Sequence, residues 1–185
     1  MSGPADSRRT LLGLAVVGHS RTMSVMLLDP PTLQIRGARL SDAARITRCY
    51  LASRQTMLPY APLPHTDDQV LAWVSDLLLP AGGLTVALES GAVVGFIATA
   101  ERAGSQWVDQ LYVHPTRLRR GVGSTLLHLA LARWQGPVRL YCFEPNKVAR
   151  RFYEHFGFVA IGFGDGSNNE SRCPDVLYER SPDRG

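Results

Sequence analysis

Between an alternating apolar stretch, Trp107 to Val113, and a helical apolar stripe lies Arg119-Arg120-Gly121-Val122-Gly123-Ser124. The glycines let the backbone adopt dihedrals barred to other residues and come close to a ligand. A helix that starts there aims unpaired N–H groups and the positive end of its dipole at the same spot. The stretch therefore suits a pyrophosphate, with Arg119 or Arg120 adding charge. Two better-known glycine motifs do not fit. A P-loop needs a lysine before its Ser/Thr, and Gly123-Ser124-Thr125 has none. A dinucleotide fingerprint needs a small residue where Leu126 stands, on a strand that opens the domain. Taken alone, the stretch fits equally well a turn that caps an ordinary helix.

The surrounding pattern supplies the context. Gln34 to Ala38 reads as a short strand, and Ser41-Asp42 as an N-cap for a helix running toward Leu58, with Ala43, Ile46, Tyr50 and Met57 roughly on one face. After a proline-rich loop, Thr66-Asp67-Asp68-Gln69 reads as a capping box opening a helix through Val70, Trp73, Leu77 and Leu78. Glu89-Ser90-Gly91 predicts a tight hairpin between strands at 84–88 and 93–98, and Ala103-Gly104-Ser105 turns the chain into the strand at 107–113. Then the period becomes helical through Val122, Leu126, Leu127, Ala130, Leu131 and Trp134. A strand at 137–141, a helix at 147–155 and strands at 158–163 and 176–178 close the chain. The fold class expected is α/β (α+β): a mixed, mostly antiparallel central sheet flanked by helices.

Composition narrows the function. The chain of 185 residues, 45% apolar and 19% charged, suits one globular domain without metal or disulfide staples. The net charge of +4 comes from arginine, with Lys147 the one lysine, and no basic run carries interleaved aromatics; a nucleic-acid partner is not expected. Cys49, Cys142 and Cys173 form no CxxC or Cys/His cluster, so no metal is expected and free thiols in a reducing cytoplasm are. Ser7 to Leu12 followed by Gly13 to Val17 has a twin-arginine look. Its apolar run stops at His19 without a cleavage site, far short of the roughly 20 residues that span a bilayer. Residues 1–33 are expected to be a leader, or translated sequence ahead of a start at Met23 or Met26. Residues 34–180 then form one domain and 181–185 a tail.

Leu111-Tyr112-Val113-His114-Pro115, the glycine turn and Leu126-Leu127 together resemble the acyl-CoA-binding motif of the GNAT superfamily of N-acetyltransferases. That turn is usually Q/R-x-x-G-x-G/A; Gly121 and Gly123 match, and Leu118 departs at the Q/R position. Asn146 to Phe158 resembles the later N-x-x-A-x-x-F-Y-x-x-x-G-F segment, at the expected spacing and beyond the expected strand. The likeness spans roughly Gln34 to Tyr178.

The resemblance implies a GNAT-like acyl-CoA N-acyltransferase fold and acetyl-CoA as co-substrate. It places cofactor contacts on the strand segment Leu111, Tyr112 and Val113, with the backbones of Leu111 and Val113 holding the pantetheine and polarising the acyl carbonyl. It places the pyrophosphate on Arg119, Arg120, Gly121, Val122, Gly123 and Ser124, and gives Asn146 a contact with the cofactor arm. It makes Tyr153 the acid that protonates the leaving thiolate. Asp109 is a candidate acceptor for the amine's proton; simple alternation puts it on one face with Leu111 and Val113, or it pairs with a nearby arginine. His65 and His114 are weaker candidates. The acceptor is an amine of a small molecule or peptide, with its wall partly in Pro59 to Asp68 and acidic help from Asp165 to Glu170. No membrane partner is expected, and a homodimer is compatible with the sequence. The alternative is a CoA-binding sensor with little catalysis; Leu118 favours it, and Tyr153 favours the enzyme.

Overall fold

The computed structural model describes residues 32–181; the expectations for the leader, the two candidate starts and the last four residues lie outside them. Seven strands form one sheet in the order β1-β2-β3-β4-β5-β7-β6. They are β1 (Gln34–Gly37), β2 (Leu84–Glu89), β3 (Ala92–Arg102), β4 (Ser105–Val113), β5 (Val138–Phe143), β6 (Val159–Gly164) and β7 (Asp175–Arg180). Every neighbouring pair is antiparallel except β4 and β5. The helices are α1 (Ala43–Met57), α2 (Asp67–Trp73), α3 (Val122–Leu131) and α4 (Lys147–His155). This is the mixed, mostly antiparallel sheet the sequence pattern implies.

Alternation along the strands divides the core in two. In β2, Leu84, Val86 and Leu88 pack with Ile46 and Cys49 of α1 and Val70 of α2, while Ala87 faces the other way. On that opposite face Val122, Leu126 and Leu127 of α3 and Tyr153 of α4 pack against Val94, Ile97, Leu140 and Val176. The tight β2–β3 turn arises because Ser90 and Gly91 both take positive φ, 49° and 78°, the geometry whose twist matches a hairpin.

Helix ends follow local chemistry in one case and long-range chemistry in another. At α2, Thr66 Oγ1 accepts from Gln69 N at 3.3 Å while Gln69 Oε1 accepts from Thr66 N at 2.9 Å, a complete capping box. Thr66→Ala is expected to lower unfolding free energy by about 1 kcal/mol, read by urea denaturation. The helix is shorter than its apolar period suggests: a π-helical turn takes over at Val74–Leu78 and leaves Leu77 largely exposed. At α1 the Asp42 carboxylate does not cap the helix it precedes. It turns back, accepts from Arg39 N at 2.8 Å, and holds the Arg36 guanidinium through two bonds of 2.7 and 3.0 Å, with no solvent exposure of its own. The nearby cation outcompetes the helix N–H groups because a buried carboxylate gains more from a full opposite charge than from a partial one.

Candidate active site

The sheet opens where it changes from antiparallel to parallel. β4 and β5 pair only over Gln106–Val108 and Val138–Leu140, then diverge. Beyond that point the β5 side of β4 has no strand partner among the described residues, and the wedge opens into a cavity of about 700 Å³. Its walls include Asp109, Leu111, Cys142, Asn146, Tyr153 and, toward α1, Arg54.

The main-chain direction in β4 follows from its register. Val113 pairs with Gly95 and Leu111 with Ile97, while His114 N donates to Val94 O at 2.9 Å. Antiparallel pairs alternate between hydrogen-bonded and non-bonded, so His114, Tyr112 and Gln110 bond to β3. Leu111 and Val113 therefore turn their N–H and C=O groups away from β3, into the wedge. Tyr112 differs from its neighbours: its main chain belongs to the sheet. Its ring packs on Tyr50 of α1, centroids 4.8 Å apart, where burial pushes its phenol pKa up.

A β-bulge corrects the expected alternation. Ala98 faces Gln110 but Thr99 faces Val108, so Asp109 is the extra residue. Val108 and Leu111, three apart, consequently share the α3–α4 core with Val113, and Asp109 does not continue their face. The Asp109 carboxylate lines the wedge and pairs with Arg102, whose guanidinium lies 5.3 Å from the centroid of Trp107.

The glycine turn sits at the far end of β4. Arg119 and Gly121 take positive φ, 59° and 81°, and α3 starts at Val122. Gly121 supplies the left-handed residue the turn needs. Gly123 has a different reason: a Cβ there would touch Val113 Cγ2 at 3.4 Å and Phe152 Cζ at 3.7 Å, so the helix start lies close on the strand end and α4. Among the described residues, no acceptor meets any backbone N–H from Arg119 to Ser124. The first hydrogen bond into the turn is from Thr125 N to Gly121 O, at 2.8 Å. Arg119 and Arg120 are exposed and make no ion pair with a described residue. Leu118, at the departing motif position, is extended and partly exposed.

Across the wedge, α4 presents Asn146 and Tyr153. Asn146 Oδ1 accepts from Ala149 N at 3.1 Å and caps the helix, so its amide nitrogen is the group left for the cleft. The Tyr153 ring is buried among Phe152, Phe158 and Tyr178, and its hydroxyl has no protein hydrogen bond among the described residues. Burial drives its pKa well above the ordinary phenol value, with Cys142 adding to the shift, so the phenol keeps its proton throughout the neutral range. Tyr178 fixes α4 on the sheet by donating to Glu154 Oε1 at 2.8 Å and accepting from Arg150 Nε at 3.0 Å.

Of the remaining candidates, Asp165 and Glu170 line the same cavity, while His114 and His65 are not among its walls. His114 Nδ1 sits 2.9 Å from Thr116 Oγ1, and His114 caps the short turn after β4. His65 meets Glu170 at 3.0 Å and ties the α1–α2 loop to the β6–β7 loop. Asp165 accepts from Ser167 N within its own turn. Among the described residues no group of three or more His, Cys, Asp or Glu is placed to hold a metal ion, and no helix is long and apolar enough to cross a membrane. Sequence reasoning missed Arg54, Tyr50 and Phe143. Arg54 carried a readable signal, since it stands four residues after Tyr50 and eight after Ile46, in the apolar stripe of α1.

An open wedge beside a strand with outward main chain, followed by a turn with free N–H groups, is the arrangement of an acyl-CoA-dependent transferase. The sequence model of the acetyltransferase (GNAT) family matches residues 48–158, and the chain belongs to that family. It is an acetyl-CoA-dependent N-acetyltransferase. Solved structures share its fold. PaiA N-acetyltransferase from Thermoplasma acidophilum, in complex with coenzyme A, is 18% identical with a TM-score of 0.64, over 81% of this chain and 99% of that one. Ard1 from Thermoplasma volcanium is 24% identical with a TM-score of 0.65, over 81% and 97%. An N-acetyltransferase from Staphylococcus aureus Mu50 is 20% identical with a TM-score of 0.65, over 81% and 98%. At such identities the likeness concerns the fold. No curated protein matches the sequence at a significant level.

Proposed function

We propose that the protein acetylates an amine of a small molecule or peptide by direct attack on acetyl-CoA within a ternary complex. The observation that carries this reading is the run of backbone N–H groups from Arg119 to Ser124 without acceptors, next to a wedge into which Leu111 and Val113 turn their main chain. The turn takes the pyrophosphate, aided by the charge of Arg119 and Arg120. Outward groups of Leu111 and Val113 hold the pantetheine and, as fixed donors, stabilise the negative charge that builds on the thioester oxygen when the amine attacks. The Asn146 amide contacts the cofactor arm. The amine's proton goes to Asp109, held at the wedge by Arg102, and Tyr153 gives its phenolic proton to the departing thiolate. Tyr112 contributes through its ring, at the acceptor side. Three free, buried cysteines suit a reducing compartment, and we place the reaction in the cytoplasm.

Calorimetry tests the cofactor half and thiol release the chemistry. Acetyl-CoA is expected to bind at least about 100-fold more tightly than acetyl-pantetheine, which lacks the pyrophosphate, because several charge-assisted bonds are lost with it. Equal affinity for the two would remove the turn from the site. Acetyl-CoA binding with no thiol release on any amine would remove the reaction.

A further inference from the structure

A cation is buried at the edge of the cavity with no counter-ion among the described residues. Arg54 of α1 is only 6% exposed. Its Nη2 donates to the Ala61 carbonyl at 2.9 Å and to Ser171 Oγ at 3.1 Å, and its guanidinium carbon lies 5.6 Å from the Phe143 ring centroid. Its Nε is enclosed with no acceptor, and no carboxylate among the described residues forms an ion pair with it. Glu170, next in sequence to Ser171, pairs instead with His65 and is largely exposed.

Burying an unpaired charge is costly, and neutral carbonyl, hydroxyl and ring partners offset only part of the cost. With Nη2 committed to Ala61 and Ser171, Nη1 has no hydrogen-bond partner among the described residues, and a carboxylate oxygen can accept from it with the charge complementarity the site lacks. Arg54 and Tyr153 line the same cavity, so a molecule anchored at Arg54 extends toward the point of acyl transfer.

Resting on the proposed function, we infer that the acceptor is an amine that also carries a carboxylate, and that Arg54 binds that carboxylate. The amine nitrogen forms the new bond to the acetyl carbon, the carbon–sulfur bond of acetyl-CoA breaks, and the amine's proton leaves to base as the thiolate is protonated. The carboxylate is unchanged throughout and serves for positioning and specificity.

The test compares matched pairs on the wild-type protein saturated with acetyl-CoA: α- and ω-amino carboxylates against their carboxamides, with thiol release as readout and thermal stabilisation by each compound as a second. The expected result is a kcat/KM about 100-fold higher for at least one amino carboxylate than for its carboxamide, the scale of a charge-assisted hydrogen bond to a buried cation. The α and ω series separate a short from a long span between nitrogen and carboxylate. In Arg54→Gln the preference within the pair disappears, mostly through KM, while Arg54→Lys keeps part of it and acetyl-CoA affinity stays the same. Should Arg54→Gln fail to fold, the wild-type comparison alone decides. Turnover of neutral amines as fast as amino carboxylates overturns this inference and leaves the proposed function standing. So does acetyl-CoA binding without stabilisation by, or turnover of, any amino carboxylate while other amines react. Failure to bind acetyl-CoA overturns the proposed function, and this inference with it.

Discussion

Under the proposed function, Tyr153→Phe is expected to lower kcat about 100-fold and to leave acetyl-CoA affinity within about twofold, a loss of about 2.7 kcal/mol in transition-state stabilisation. The substitution removes one oxygen and keeps the ring that packs on Phe152, Phe158 and Tyr178. The hydroxyl holds up no neighbouring group, since it makes no protein hydrogen bond among the described residues. A change in turnover therefore reports on chemistry and not on folding. The expected effect is at the low end of general-acid contributions because a thiolate, with a conjugate acid near pKa ~8.5, leaves fairly well unaided. Single-turnover thiol release beside calorimetry with acetyl-CoA separates the two terms, and unchanged turnover would take Tyr153 out of the mechanism.

Asp42→Ala is expected to cost about 3 kcal/mol of unfolding free energy, which for a chain of this size lowers Tm by about 6 to 12 °C. The loss leaves Arg36 without the carboxylate it binds twice and Arg39 N–H without its acceptor. Arg36 keeps some contact with water, which holds the cost to the lower part of the range for breaking buried pairs. The Arg36 hydrogen bond, helped by Arg39 N–H, lowers the Asp42 pKa below the ordinary carboxylate value against the opposing effect of burial. A depressed folded-state pKa gives stability that is complete above the unfolded value, near pH ~4, and disappears as pH falls through the folded value. The gap between wild type and Asp42→Ala is thus widest at neutral pH and narrows below about pH 4. Urea denaturation at pH 7 and pH 3 checks both size and sign; a gap that does not change with pH would mean that the carboxylate's charge is not what stabilises this corner.

What the sequence made legible was governed by neighbours along the chain. Thr66 with Gln69, Ser90 with Gly91 and the head of α3 at Gly121 each depend on a handful of adjacent dihedrals, so the residues themselves announce the geometry. The order of elements followed from changes of apolar period for the same reason. The rest depended on partners far away. Asp42 reads as a cap until Arg36 is folded beside it. The bulge at Asp109 is a mismatch in register between β3 and β4, and neither strand shows it alone. Arg54 stands in the apolar stripe of α1, yet the partners that enclose it, Ala61, Phe143 and Ser171, come from elsewhere, the last 117 residues away. In the candidate site, the turn, Asn146 to Tyr153 and the segments around Leu63 and Asp165 to Glu170 could be read in advance; Arg54, Tyr50 and Phe143 could not, because separate helices and strands bring them to the cavity.

The short contact between β4 and β5 has a mechanical meaning. Three residue pairs join β1–β4 to β5–β7 as a seam across the sheet, with the remaining length of both strands unstitched. Under the proposed function, the pantetheine lies along that unstitched length and serves as a temporary eighth strand, bonded to β4 on one side and walled by β5 and α4 on the other. Occupancy then closes a structural gap as well as supplying a reactant. The protein and its co-substrate complete each other's architecture, and each round of thiol departure reopens the seam.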